Sequence, residues 1–189
     1  MSTGRLEAFT DGVIAIIITI MVLEMKVPDG ADLAALTASL PVFGAYMLSY
    51  ANVGIFWNNH HHMLHASERV NGNVLWANLF LLFWLSLVPF VIRWMDDSHF
   101  AALPTAAYGA VLAMAAVGYS VLQWAIIACN GRSSKLAAAI GSDWKGKLSP
   151  VAYVAAIPLA YVSVRLAIAI YVAVALMWLV PDRRIETAI

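Results

Sequence analysis

Apolar stretches alternate with short polar breaks along the whole chain, and most approach the roughly 20 residues that a helix needs to cross a bilayer. The first runs over residues 5–25 and ends at Lys26-Val-Pro-Asp-Gly, where Pro28 and Gly30 stop a helix. A second helix is expected over residues 33–61, passing through Pro41, and a third over residues 73–95, after which Asp96-Asp97-Ser98-His99 turns the chain over. Pro104, in a first turn where its missing N–H is harmless, opens a fourth over residues 104–129. Residues 136–140, apolar between charged flanks, suit a short surface helix or loop. Ser149-Pro150 reads as an N-cap and first-turn proline. The apolar run that follows is too long for one crossing. Pro158 and the Ser163-Val164-Arg165 break divide it into a fifth helix over residues 150–162 and a sixth over 166–179, with one tilted or re-entrant element as the alternative. Pro181-Asp-Arg-Arg closes the last span. The expected fold class is all-α and integral to a membrane, with six transmembrane helices in a single unit over residues 1–189.

Composition strengthens this reading. The chain is 62% hydrophobic and 12% charged, with a mean hydropathy of +0.80, whereas a soluble domain carries about 25% charged residues. Eleven basic and eleven acidic residues balance, so no nucleic-acid partner is suggested. The lone Cys129 excludes an intrachain disulfide. Glu7 and Asp11 interrupt the approach to the first apolar run, unlike the basic lead of a signal peptide, so the first helix is expected to be retained. With both termini cytoplasmic, that side holds Arg5, Arg69, Arg132, Lys135, Lys145, Lys147, Arg183 and Arg184, against Lys26, Arg93 and Arg165 outside, in line with the positive-inside rule. Glu24, Asp29, Asp32, Asp96 and Asp97 then fall outside, either as solvated loop residues or as a mildly acidic mouth for a cation.

The first helix is the most unusual element. Its uncharged part, residues 12–23, rises only about 18 Å, so Arg5, Glu7 and Asp11 sit near or within membrane depth and require protein or water around them. Glu7 and Asp11 lie four apart on one face and need donors, while Arg5 points about 120° away from Asp11. The end of the second helix, Trp57-Asn-Asn-His60-His61-His62, carries an indole N–H, amides and imidazoles at the same level, so the two ends should meet. His61 and His65 have the i, i+4 spacing of a metal pair, but no cysteine or carboxylate in the segment completes the set. A hydrogen-bonded cluster is favoured over a metal, with pH sensitivity as a side consequence. Asn78 is expected to bond to a neighbouring helix, and Thr19 either bonds back to its own helix or offers its hydroxyl elsewhere. Trp94, Trp144 and Trp178 read as interfacial anchors. No nucleophile triad, phosphate-binding glycine loop, paired catalytic carboxylates or TVGYG-like filter is present, so nothing supports an enzyme.

Arg5-x-x-x-Phe9-Thr10-Asp11 resembles the RxxxFSD signature of the potassium channel family known as transmembrane protein 175, with threonine in place of serine. Trp57-x-x-His60-His61, Asn78 and Pro89-Phe90 are similar to family features in family order. The resemblance implies a single six-helix repeat that assembles as a homotetramer in the lipid bilayer, with the first helix lining a central pore. It also implies pore-lining roles for Ile16, Thr19 and Leu23, whose i, i+3, i+7 spacing is compatible with one helix face. Arg5, Phe9, Thr10, Asp11, Trp57, His60, His61 and Asn78 would form a structural network around them.

The function this implies is a potassium-preferring cation channel, with Ile16 and Leu23 as apolar rings that gate by losing water and Thr19 as a ring of hydroxyls between them. No cofactor and no metal are expected, and potassium is the transported ion. A bacterial inner membrane is expected from the single-repeat length. The alternatives are a secondary or proton-coupled transporter relaying through Asp11 and the histidines, and a membrane metalloprotein built on His60, His61, His62 and His65.

Overall fold

The computed structural model describes residues 3–131, 134, 136–137 and 144–179, and among these the regular structure is entirely helical. The order is α1 (Thr3–Leu23), α2 (Leu33–Ala38), α3 (Leu40–His65), α4 (Gly72–Ser86), α5 (Val88–Asp97), α6 (Ala102–Asn130), α7 (Trp144–Val162) and α8 (Val164–Leu179). Among the described residues, three stretches are long and apolar enough to cross a membrane: α1, the α4–α5 pair over Gly72–Asp97, and α6. At 1.5 Å per residue the 21 residues of α1 reach about 32 Å, enough for the hydrocarbon core.

Two expected helices are broken where local chemistry demands it. The stretch expected over residues 33–61 divides at Ser39 into α2 and α3. Asp32 caps α2 by accepting from the Ala35 amide at 2.8 Å, and Pro41 falls in the first turn of α3, where an amide would have had no partner anyway. The stretch expected over residues 73–95 divides at Leu87, with Pro89 in the first turn of α5. Asn71 starts α4 by accepting from the Val74 amide. His99 and Phe100, at φ 50° and 58°, take the left-handed turn that reverses the chain into α6.

The fifth helix departs further from expectation. It begins at Trp144 rather than Pro150, so Pro150 and Pro158 both lie inside α7. Ser149 is not an N-cap. Its hydroxyl donates to the Lys145 carbonyl at 2.8 Å and accepts from the Trp178 indole at 2.8 Å, tying α7 to α8 beside the proline. Trp178, half-buried, is thereby tied to α7, with the Lys145 ammonium 5.8 Å from its ring centroid. The break expected at Ser163 is present, with α7 ending at Val162 and α8 starting at Val164. In the stretch expected over residues 136–140, Leu136 and Ala137 are helical; the remainder, Arg132, Lys135, and the closing Pro181-Asp-Arg-Arg lie outside the described residues.

α6 is the hub, packed against α4, α5, α7 and α8. Small residues let the helices approach: Gly118 lies where a Cβ would stand 3.0 Å from the Leu81 Cα of α4, and Gly109 gives room to the Tyr171 hydroxyl. Several polar groups in this core are paired. Tyr171 donates to the Thr105 carbonyl at 3.0 Å, Tyr108 and Ser49 bond at 2.9 Å, and Tyr153 donates to Asn52 at 3.3 Å. By contrast α1 lies at the edge, packed on α3, α4 and α5 through one buried stripe of Leu6, Thr10, Ile14, Ile17 and Met21. Its opposite face is open.

Candidate functional site

The two ends of α1 are fastened by different chemistry. At its start, Glu7 and Asp11 on α1 face Trp57 and His61 on α3, two i, i+4 pairs running antiparallel. Trp57 Nε1 donates to Asp11 Oδ1 at 2.8 Å, and His61 Nδ1 lies 2.7 Å from Glu7 Oε1. The His61 ring also stacks on Trp57, with centroids 6.2 Å apart and planes 28° from parallel. The expected meeting of the two helix ends therefore occurs, with one acidic residue matched to one donor. Each helix presents its pair on one face, so the contacts form together.

Behind this outer layer runs a fully buried one. His60 Nε2 is 2.7 Å from Asn78 Oδ1, and the same amide donates through Nδ2 to Thr10 Oγ1 at 2.9 Å. Thr10, His60 and Asn78 are each at most 1% exposed. Because Asn78 turns its oxygen toward the imidazole and its nitrogen toward Thr10, His60 donates through Nε2. A single residue of the α4 span thereby links α1 and α3.

Arg5 and Phe9, the other two members of the Arg5-x-x-x-Phe9-Thr10-Asp11 pattern, lie on the open face of α1. Phe9 is 49% exposed, and Arg5 makes no ion pair among the described residues. Within one chain, then, the pattern splits. Thr10 and Asp11 bind α1 inward, whereas Arg5 and Phe9 point away from the chain's own core.

The other end of α1 is held by charge. Arg93 on α5 donates to the Glu24 carbonyl at 3.1 Å and pairs with Glu24 Oε2 at 3.3 Å and Asp97 Oδ2 at 3.0 Å. Lys26 pairs with Asp97, which raises its pKa above the ordinary lysine value. Glu24 and Asp97 are thus neutralised, and Asp32 caps α2. Three of the acidic residues read from the sequence as a candidate cation-attracting mouth are committed to holding helices together.

Between these anchors the open face of α1 carries Ile16, Thr19, Ile20 and Leu23. Ile16 is 60% exposed and Leu23 is 75% exposed. Thr19 is exposed and its Oγ1 donates to the Ala15 carbonyl at 2.8 Å, so its proton is used by the helix and only oxygen lone pairs remain to offer. The three residues share this face, opposite Thr10, Ile14, Ile17 and Met21. Periodicity could not choose the face, because α1 is apolar nearly all round.

Sequence reasoning missed one partnership. Glu7, expected to meet the donors at the end of α3, also supplies the carboxylate lacking beside the His61–His65 pair, whose ring centroids are 5.2 Å apart. The matching i, i+4 spacings of Glu7 and Asp11 with Trp57 and His61 were the available signal.

Residues 5–89, which contain the whole α1–α3–α4 network, match the family model described as endosomal/lysosomal potassium channel TMEM175. The chain is 52% identical to a potassium channel of Chryseobacterium sp. (strain P1-3) over 189 residues, 100% of this chain and 98% of that one. It is 38% identical over 117 residues to the human endosomal/lysosomal proton channel TMEM175, a match covering 55% of this chain and 23% of the human protein. The crystal structure of a lysosomal potassium-selective channel TMEM175 homolog from Chamaesiphon minutus superposes with a TM-score of 0.78 at 27% identity, covering 93% of this chain and 95% of that one. With a relative of this identity matched from end to end, the chain belongs to the TMEM175 family.

Proposed function

We propose that the chain forms a potassium-preferring cation channel: a homotetramer of six-span subunits in which the open face of α1 lines a central pore. The observation that supports this most directly is the exposure of Ile16, Thr19 and Leu23 on one face of a membrane-length helix whose other face is buried and pinned at both ends. A full-length relative that is a potassium channel supports the same reading. Both termini lie in the cytoplasm of a bacterial cell, and the protein resides in the inner membrane.

In this arrangement four Ile16 side chains and four Leu23 side chains form two apolar rings about 10 Å apart along the axis, with the Thr19 ring between them. A narrow apolar ring holds no stable water, so it opposes an ion until it widens. The Thr19 oxygens, their protons donated to the helix backbone, can accept a cation that has shed part of its shell. Potassium sheds its shell at lower cost than sodium and is therefore preferred. Asp11, Trp57, His60, His61 and Asn78 hold α1 in place rather than touching the ion. A transporter relay is less well supported, because residues 12–23 of α1 contain no ionisable side chain.

The test is flux from liposomes loaded with potassium, repeated with sodium. Rapid, non-saturating flux that favours potassium is expected. Flux that saturates and needs a counter-ion gradient, or none from either the parent or Ile16→Asn, would overturn the reading.

A further inference from the structure

We infer that Glu7, His61 and His65 form a binding site for a divalent transition cation of the zinc type. One ligand atom from each, a carboxylate oxygen and two imidazole nitrogens, lies within 4.8 Å of the others. Tetrahedral zinc holds its ligand atoms about 3.3 Å apart with bonds of about 2.0–2.1 Å, so small rotamer changes bring all three into its first shell. Two histidines and a glutamate are a set that zinc accepts, leaving a fourth position for water. Harder ions such as magnesium prefer an all-oxygen shell and are disfavoured.

The scaffold suits the role. His61 and His65 are one turn apart on the last two turns of α3 and share a face. The Trp57 ring stacks against His61 and fixes its plane, and Trp57 is itself held by Asp11. An ion can reach the site from solvent, since the side chains of Glu7 and His61 are 24% and 39% exposed and His65 is exposed. The short contact between His61 Nδ1 and Glu7 Oε1 occupies the space that the ion would take, so binding replaces this hydrogen bond with coordination bonds and the shared proton passes to the other ring nitrogen or to solvent. Because Glu7 belongs to α1 and both histidines to α3, the ion would fasten the start of α1 to its neighbour.

Full-length protein, stripped with a chelator and exchanged into chelator-free buffer, is titrated with zinc chloride by calorimetry, and its thermal unfolding is followed with and without zinc. One zinc per chain and a higher Tm in zinc are expected. His65→Ala and Glu7→Gln should each weaken binding by more than the roughly 10–100-fold that loss of an outer-shell group costs. His62→Ala, outside the ligand set, should bind zinc as the parent does. If Glu7→Gln does not fold, His65→Ala decides, since the His65 ring is exposed and lies tilted against that of His61. Absence of saturable binding, undiminished binding in His65→Ala, an equal loss in His62→Ala, or equal binding of magnesium would each overturn the assignment.

Discussion

Asn78 and His60 meet at 2.7 Å in a layer closed to solvent, and the amide then passes the contact on to Thr10 at 2.9 Å. One side chain with a donor and an acceptor therefore satisfies two helices at once. Replacing it leaves a buried imidazole N–H and a buried hydroxyl without partners. Asn78→Ala is expected to destabilise the subunit by about 1–3 kcal/mol, the usual cost of orphaned buried polar groups. Thermal unfolding in detergent reads this directly, and an unchanged Tm would show that the layer contributes little.

The Trp57–Asp11 hydrogen bond is the outer counterpart of that layer. Its strength is best isolated by a double-mutant cycle with Trp57→Phe and Asp11→Asn. The double variant should be less destabilised than the sum of the single ones, with a coupling of about 0.5–3 kcal/mol. Strict additivity would mean that Asp11 is held by something else.

Ile16 tests the proposed gate. Ile16→Asn replaces an exposed apolar side chain on the open face of α1 with one that holds water, so potassium flux from liposomes should rise. Unchanged flux would remove Ile16 from the constriction.

At Thr19 the comparison of interest is between valine, which keeps the shape and loses the oxygen, and serine, which keeps the oxygen. Thr19→Val should lower the potassium-to-sodium flux ratio while Thr19→Ser retains most of it. Equal ratios in parent and Thr19→Val would eliminate the hydroxyl ring.

Gly109 probes the packing of the hub helix. A Cβ there collides with the hydroxyl of Tyr171, whose position is fixed by its bond to the Thr105 carbonyl. Gly109→Ala should destabilise by about 1–3 kcal/mol, the cost of overpacking a filled core. Combining it with Tyr171→Phe, which removes the colliding oxygen, should recover part of the loss in Tm.

Much of the architecture is readable along the chain because it rests on local chemistry. The apolar runs, the breaks at Lys26-Val-Pro-Asp-Gly and Ser163, and the turn after Asp97 follow from residue types whose backbone preferences and water solubility act over a few positions. The meeting of Glu7 and Asp11 with the end of α3 was also legible, since two acidic residues near membrane depth need donors and the best group on that side lies at Trp57–His62. Other features depended on how the helices pack. Pro150 sits inside α7 because Ser149 and Trp178 bridge to α8 beside it, a contact between residues 29 apart. Glu7 joins His65 only because α1 and α3 run antiparallel at that level. Above all, the open face of α1 is invisible to periodicity. A helix surrounded by lipid and protein has no need of a polar side, so its sequence carries almost no amphipathic signal, and only the buried stripe from Leu6 to Met21 reveals which residues are turned outward.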